Sequence, residues 1–586
     1  MGRPSGAVHV VRVRKSHVDK QGQRRDYQSA YLRRTFRVDG KVRNETVANL
    51  SALPAHVVDW VDAGLKGQSL VPADQAATIT RSVPHGHVTA VWAQAAVLGM
   101  PTLLGPAGRR RDLVMALVIS RVLHPGSKLA TDSWWDDTTL GADLGVAGAS
   151  TDEVYAAMDW LLERQDQVQA ALAQRHLAPD ANPGRMAMFD LSSSWMEGSH
   201  CPLAKRGYSR DGKKNRTQIE YGLLTDPAGR PVAIKVFAGN TADPTAFIHA
   251  VEMIREQFKL TNMVLVGDRG MITSARIDAL RAETHLGWLT SLRAPAIKAL
   301  AAADGPLQPT LFDQQNLAEI THPDYPGERL VACRNPFLAA ARAHKRDELL
   351  TATEILLAPV HAAVTAGRLA GADQIGLRVG KIINTHKMAK HLQVTITDTT
   401  LTITRRTGQI EAEAALDGIY VIRTTVPADT LDAPGVVTAY KNLARVERDF
   451  RTIKVDDLDL RPIYHHLENR VRAHVFLVML AAYLTWHLRR TLAPLTFTDE
   501  TPPARTDPVA PAHRSTAATR KASHRKDQTN QPVRSFRALL DHLATLTRNN
   551  IQYGAGGPVV PTLTVPTETQ RRVFELLHTT IPLNLK

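Results

Sequence analysis

The chain has 586 residues, 44% of them hydrophobic, with a formal charge of +15 and an isoelectric point near 9.8. This length exceeds one domain, and the basic excess indicates a polyanionic partner, nucleic acid first, because neutralising phosphates releases counterions. Two cysteines, Cys201 and Cys333, without partners at metal-ligand spacing, exclude a disulfide framework and a cysteine zinc site.

The sequence shows no targeting or membrane segment. Its N-terminus lacks an apolar signal region, and its most apolar run, Val475–Trp486, is too short to span a bilayer. We therefore expect a cytoplasmic protein without membrane contacts that associates, through its charge, with the nucleoid.

The first two segments differ in pattern. Residues 1–80 alternate apolar and basic residues around an Asp39-Gly40 turn, which predicts a small basic β module. Residues 85–182 have helical periodicity, including a Ser150–Glu153 capping box, and predict a helical domain.

Residues 183–293 read as three strands, a helix, a strand, a helix over 273–283 and a further strand. The apolar run Met186–Phe189 ends at Asp190, and the run Met263–Val266 leads to Asp268. This order predicts the first part of a ribonuclease-H-like α/β core, with both acids at strand ends, where α/β sheets place function.

The remaining chain interrupts and then completes this core. Residues 294–413 break the pattern and form a predicted insertion, the core resumes over 414–492, and a basic linker follows over 493–535. Residues 536–586 are predicted as a C-terminal helical region. The fold class is thus multidomain α/β, with a ribonuclease-H-like core interrupted by an insertion, an N-terminal β module and a helical domain.

One helix of the second core part carries a lone acid among basic residues. In the stretch 439–454, Tyr440, Glu447 and Lys454 lie seven residues apart, so a continuous helix places them on one stripe. Glu447 has a simpler interpretation as a surface partner of Arg451, four residues on. Asp432 is the predicted N-cap of this helical segment.

Asp190, Asp268 and Glu447 together suggest a metal site. Three converging carboxylates repel one another unless cations neutralise them, and hard oxygen ligands suit Mg²⁺ or Mn²⁺. Two such ions, about 4 Å apart, clamp both oxygens of a phosphodiester displacement. No serine–histidine triad, P-loop or dinucleotide loop in the sequence offers a competing chemistry.

Eight stretches of the sequence carry a family resemblance: RVLHPGSKLAT, FDLSSSWMEG, GYSRDGKKNRTQIEYGLL, FAGNTAD, VLVGDRGM, DGIYVIRT, YKNLARVERDFRTIK and RPIYHHLENRVRAHVFLVMLA. They resemble the DDE transposases of bacterial insertion sequences, specifically the cut-and-paste group with a β-rich insertion. The resemblance spans roughly residues 126–487. It implies that Asp190, Asp268 and Glu447 are the catalytic, metal-binding triad.

The resemblance also assigns a Y-R-E-K signature to the lone-acid helix. Tyr440 and Lys454 match its tyrosine and lysine, which contact DNA near the cleavage site. The signature's arginine falls at Leu443 here, while Arg445 lies on a different face. No tryptophan lies within 294–413, so no base-stacking residue is assigned there.

Further DNA contacts are predicted around these acids. The candidate residues are Lys205, Arg206, Arg210, Lys213, Lys214, Arg216, Asn240, Arg269, Arg445 and Arg451. The basic loop 205–216 is either a phosphate track or a plain charged loop, and Asn240 either contacts DNA or stabilises a turn. His465, His466 and His474 suggest a metal site, packing or phosphate contacts.

The resemblance predicts a transposase that cleaves phosphodiester bonds at element ends with two Mg²⁺ or Mn²⁺ ions. The exposed 3′-hydroxyl ends then join target DNA. The expected partners are the terminal inverted repeats and target duplex, held by a homodimer or larger assembly, with the N-terminal and helical domains on the ends. Two alternatives stay open: a metal-dependent nuclease without strand transfer, and a non-catalytic DNA-binding derivative.

Overall fold

The computed structural model describes residues 6–18, 20, 22–68, 76–197, 200–213, 215–272, 277, 286–554 and 556–586. The chain divides into two compact units. The first contains residues 1–82 and 548–564, and the second contains 83–547 and 565–586.

The N-terminal part of the first unit is an antiparallel sheet covered by one helix. Its elements are β1 (Val8–Val18), β2 (Arg24–Val38), β3 (Lys41–Asn49), α1 (Ala55–Leu65) and β4 (Ala77–Pro84). β2 pairs with both β1 and β3. The predicted turn joins β2 to β3, and both Asp39 and Gly40 have positive φ, as a two-residue hairpin turn requires.

The second unit begins with seven helices, in the region predicted to be a helical domain. They are α2 (Gly86–Val97), α3 (Met100–Leu104), α4 (Arg109–Leu123), α5 (Lys128–Asp136), α6 (Leu140–Leu144), α7 (Thr151–Glu163) and α8 (Gln165–Leu177). The predicted capping box is present, because Ser150 and Glu153 each bond the other's backbone N–H.

A mixed eight-stranded sheet forms the centre of the second unit. Its first elements are β5 (Met186–Trp195), β6 (Gln218–Thr225), β7 (Pro231–Ala238), α9 (Asp243–Glu252), β8 (Met263–Gly267) and β9 (Leu286–Ser291). β5, β6 and β7 are antiparallel neighbours, while β8 and β9 run parallel to β5. The helix predicted over 273–283 lies outside the described residues, apart from Ile277.

The insertion is not β-rich, which corrects the sequence prediction. Its elements are α10 (Ala294–Leu300), β10 (Leu317–Ile320), β11 (Arg329–Arg334), α11 (Pro336–Thr365), α12 (Ala372–Ile383), β12 (Leu392–Ile396), β13 (Leu401–Arg405) and α13 (Thr407–Ala414). The 30-residue α11 dominates because its sequence is rich in alanine and leucine, both strong helix formers. β10 and β11 extend the central sheet next to β14 (Ile419–Thr424).

The second core part continues with α14 (Ala433–Lys441), α15 (Leu443–Arg451) and a π-helical turn at Thr452–Asp456. The Asp432 side chain caps α14 by accepting from Gly435 N at 2.8 Å, as predicted. The next helix, α16 (Glu468–Thr491), is long and apolar enough to cross a membrane. Of its most apolar window, however, 83% is buried inside the protein, and it packs on β7, α4 and α7 as a core helix.

The chain after α16 departs from two predictions. The basic stretch 493–535 is not simply a solvated linker, because it contains α17 (Thr516–His524) and the fully buried Val509. The C-terminal region is not only helical: α18 (Phe536–Ala544) and α19 (Glu568–Leu576) flank β15 (Thr547–Tyr553) and β16 (Val559–Leu563). β15 lies between β4 and β16 in a sheet of the first unit.

Candidate active site

The sheet register brings the first two acids to neighbouring positions. The last parallel pair between β5 and β8 joins Phe189 to Gly267, so Asp190 and Asp268 each follow that pair directly. β5 does not end at Asp190 as expected, because residues 188–195 continue to pair with β6. Asp190 therefore lies where the parallel half of its strand stops.

Glu447 reaches the same place from α15. Its helix is anchored by the fully buried Val446 and the nearly buried Phe450, and it packs against β5. A cavity of about 350 Å³ contains all three acids. It is lined by Asp190, Asp268, Asn335, Tyr420, Tyr440, Lys441, Leu443, Ala444 and Glu447.

The electrostatics of Asp190 reflect burial and like charge. Burial raises the pKa of this carboxyl to about 7, with the carboxylates of Asp268 and Glu447 adding in the same direction. The Leu191 N–H opposes the rise by donating to Asp190 Oδ1 at 2.8 Å. The three acids are therefore close enough to influence one another, and the cavity favours a positive charge.

Tyr440 joins the acids within the cavity. Its hydroxyl lies 3.5 Å from Asp268 Oδ1, at the long limit of a hydrogen bond to that carboxylate. Burial, followed by the negative charge of Asp268, raises the pKa of Tyr440 to about 12. The phenol therefore keeps its proton at neutral pH and is a donor.

Lys454 is not on the same cavity-facing stripe as Tyr440 and Glu447, which corrects the expectation from seven-residue spacing. The helix is interrupted at Asn442, and Lys454 lies in the π-helical turn, which adds a residue per turn and shifts the register. Its buried Nζ donates to Asp211 Oδ1 at 2.8 Å, and Arg461 donates to the same oxygen. Lys454 thus belongs to a buried ionic group that is centred on Asp211.

The side chains at positions 443 and 445 lie in different places, as their spacing in the sequence suggests. Leu443 lines the cavity in place of the signature arginine. The Arg445 guanidinium instead donates to Pro227 O at 2.7 Å, in the turn between β6 and β7. Arg445 is therefore held outside the acidic cavity.

The basic loop 205–216 contains both exposed and internally paired residues. Lys205, Arg206 and Lys213 are exposed, and Arg216, also exposed, pairs with Glu197 at 3.2 Å. Arg210 is paired instead with Glu220 and Asp243, and its side chain is 19% exposed. Lys214 lies outside the described residues.

The other candidate DNA contacts are at the surface. Arg269 is exposed and close enough to Tyr440 to affect its pKa. Arg451 is exposed on the last turn of α15, and Asn240 is exposed in the turn after β7. These positions are accessible to DNA.

Three cavity residues were missed by sequence reasoning. Lys441 Nζ donates to the carbonyls of Pro508 and Val509, each at 2.6 Å, so the segment after the core holds it. Asn335 caps α11 by accepting from Leu338 N at 3.1 Å. The Tyr420 hydroxyl contacts the buried Cys333 thiol. Of these, only Tyr420 and Lys441 fall within stretches that carried the resemblance.

The oxygen atoms of the three carboxylates suit a hard cation, but in this structure the carboxylates are too far apart to hold one jointly. Within the described ranges, no three His, Cys, Asp or Glu side chains form a group able to hold a metal ion. The three carboxylates are nevertheless the oxygen donors that Mg²⁺ and Mn²⁺ prefer. Holding an ion jointly requires them to approach one another more closely than in this structure.

The chain matches a protein-family model and is similar to a solved structure. The family model described as "Transposase DDE domain" matches residues 192–484, half of the chain. A solved structure of a piggyBac transposase synaptic complex with hairpin DNA is similar at 8% identity and a TM-score of 0.31. That similarity covers 68% of this chain and 72% of the other. Comparison with curated proteins gives no match.

Proposed function

Because this chain belongs to the transposase DDE domain family, we propose that it cleaves DNA at the ends of a bacterial insertion sequence. In this proposal it then joins the resulting 3′-hydroxyl ends to target DNA. The observation that carries the proposal is the single cavity lined by Asp190, Asp268 and Glu447, on a chain with net charge +15. Acids from three distant parts of the sequence converge there, and basic residues surround them.

The catalytic core in this proposal is ribonuclease-H-like. Its support is the strand order β7-β6-β5-β8-β9, in which three antiparallel strands are followed by two strands parallel to the first. The edge of this sheet where β5 and β8 stop pairing delivers two of the acids. The second helix after β14, α15, delivers the third.

Asp190, Asp268 and Glu447 would together hold two Mg²⁺ or Mn²⁺ ions. When bound, such ions activate the attacking oxygen and stabilise the leaving oxygen of a phosphodiester displacement. The chain's own groups prepare the site: the Tyr440 hydroxyl faces Asp268, and the raised pKa of Asp190 shows that burial and neighbouring carboxylates favour neutralisation of this group. DDE transposases generally use divalent metal ions.

The DNA in this proposal lies over the exposed basic residues around the cavity. We assign backbone contacts to Lys205, Arg206, Lys213, Arg216, Arg269 and Arg451, with Lys214 and Asn240 as further candidates. Arg210, Arg445 and Lys454 are internally bonded and instead position the surfaces from which DNA is contacted. Tyr440 is the aromatic contact nearest the acids.

The test replaces each acid separately. Asp190→Ala, Asp268→Ala and Glu447→Ala are expected to abolish nicking of plasmid carrying the gene-flanking sequence while leaving DNA binding intact, since each removes a negative charge facing a polyanion. The exposed Glu256→Ala is the control and should nick normally. Nicking by any of the three alanine variants would contradict the assignment.

A metal-exchange experiment sharpens this test. Mg²⁺ binds thiolate poorly and Mn²⁺ binds it better, so Asp268→Cys should be inactive in Mg²⁺ and partly active in Mn²⁺. Full activity of this variant in Mg²⁺ would show that Asp268 is not a ligand. Sequencing for joined products then separates a transposase from a nuclease that only cuts.

A further inference from the structure

Two stretches that carried the family resemblance, but have no role in the cavity of the three acids, meet at a second cavity. This basic cavity has a volume of about 640 Å³, within the range of ligand sites. Its charged and titratable lining residues are Arg121, Lys128, Asp459, Arg461, His465 and His474. The first two come from α4 and α5, and the others lie more than 300 residues later, before and within α16.

Two of the bases in this cavity, Arg121 and Lys128, are buried and form no direct ion pair among the described residues. Arg121 is 5% exposed and Lys128 is 7% exposed. Arg121 donates to two backbone carbonyls, those of Gly126 at 3.0 Å and Leu458 at 3.4 Å. Asp459 is the one acid in the lining, and Arg461 is already paired with Asp211. Burial, followed by the charge of Arg121, lowers the pKa of Lys128 well below its usual value, because an isolated buried charge is costly. This arrangement therefore calls for an anion, which would stabilise the charged form of Lys128.

The two histidines provide uncharged hydrogen-bonding groups. Burial, followed by the charges of Lys128 and Arg121, lowers the pKa of His465 to about 3 and that of His474 well below its usual value. Both rings are therefore neutral at pH 7. His474 is 6% exposed, and its Nδ1 has no partner among the described residues. An oxygen-rich ligand would satisfy it.

The cavity opens to solvent beside an aromatic ring. Leu129 and Tyr464 both line it and are 67% and 64% exposed. An exposed tyrosine at the mouth of a basic cavity is suited to stacking a nucleic-acid base, whereas inorganic phosphate makes no use of it. The combination favours a nucleotide unit over a free anion.

The basic cavity is also linked to the neighbourhood of the proposed active site. Asp211 accepts from Arg461, in the cavity wall, and from Lys454, seven residues after Glu447. The buried carboxylate of Asp211 thus bonds both Arg461 and Lys454.

We propose that the basic cavity binds a backbone phosphate of the DNA strand, with Lys128 and Arg121 on the phosphate and Tyr464 against the adjoining base. This inference rests on the proposed function, because the strand is the one that the transposase holds. Phosphate recognition by buried Arg and Lys is charge-assisted and therefore strong. A free phosphate is the other source of the same chemistry.

The experiment measures binding of a labelled 40-base-pair duplex with a single-stranded end to the full chain in EDTA, across a range of salt concentrations. The single-stranded end is needed because only an unpaired base is free to stack on Tyr464. Lys128→Met is expected to weaken binding roughly tenfold and reduce the salt slope by about 0.9, the loss of one phosphate contact. Lys128→Arg should retain the salt slope. Tyr464→Ala, at an exposed position, should weaken DNA binding without changing the salt slope. Lys521→Met is the control, since Lys521 is equally buried but paired with Glu500.

Thermal stability distinguishes a lost contact from a damaged fold. Lys128→Met removes a buried unpaired charge, so its melting temperature should equal or exceed that of the wild type, whereas Lys521→Met should melt lower. Wild-type DNA binding and slope in both Lys128→Met and Tyr464→Ala would overturn the proposal. Loss of inorganic phosphate binding in Lys128→Met, with DNA binding unchanged, would overturn the DNA strand as the source. Absence of nicking together with Lys128-dependent DNA binding would refute the proposed function alone.

Discussion

The buried ionic group at Asp211 gives a stability prediction with a magnitude. Asp211→Asn keeps the shape of the side chain but removes the charge that Lys454 contacts at 2.8 Å and Arg461 shares. At an effective dielectric constant of 20, the attraction at that distance is roughly 6 kcal/mol before desolvation is counted. Breaking one partner of a buried pair costs about 3–5 kcal/mol in practice. Arg461 is 28% exposed and contributes less, so we expect about 3 kcal/mol.

The assay is urea unfolding followed by tryptophan fluorescence, with Glu197→Gln as the matched control. Glu197 pairs with Arg216 at 3.2 Å, but these side chains are 38% and 57% exposed, so this loss should be below about 1 kcal/mol. Adding Lys454→Met to Asp211→Asn should restore part of the lost stability. Equal unfolding midpoints for Asp211→Asn and Glu197→Gln would refute the reasoning that burial makes this group important.

Two further predictions concern pH and salt. Burial lowers the pKa of His87 from 6.5 to about 3, so the unfolded chain takes up a proton that the folded chain does not, and stability falls as pH drops through that window. His87→Phe should remove about 1.6 kcal/mol of the loss between pH 6.5 and 5, measured by urea unfolding at each pH; an unchanged pH dependence would exclude His87 as its source. Replacing the exposed Arg14 and Lys15 with glutamine should reduce the salt slope of DNA binding by about 0.9 per lost phosphate contact, and an unchanged slope would remove this surface from the interface.

The sequence predicted the local elements of the core well because its signals there are local. Short apolar runs ending in acids, the Asp39-Gly40 turn and the caps at Ser150 and Asp432 each depend on neighbouring residues, and each is present. The convergence of Asp190 and Asp268 also followed from a simple rule, since each follows a short apolar run and those two runs pair in parallel within one sheet. Assigning them to catalysis stays a prediction.

The features that the sequence did not predict depend on distant contacts. The shift of Lys454 away from Glu447 arises from a π-helical turn, which a seven-residue spacing cannot show. Asp211, the partner of Lys454, lies 243 residues earlier in the chain, in a segment whose sequence is typical of a charged loop. Likewise, Lys441 is held by carbonyls of a segment whose composition resembles a linker. Such pairings become visible only when the chain is folded.

The sheet that joins β4 to β15 and β16 has a consequence for synthesis of the chain. Thr80 Oγ1 donates to the carbonyl of Asn550 at 3.1 Å, a contact that spans 470 residues. β4 is therefore synthesised long before its partner strand β15 and keeps an unpaired edge in the interval, and such edges invite association with other strands. A product that stops before residue 547 would contain all three acids yet lack a complete first unit. Completion of that unit thus requires translation to have passed β15.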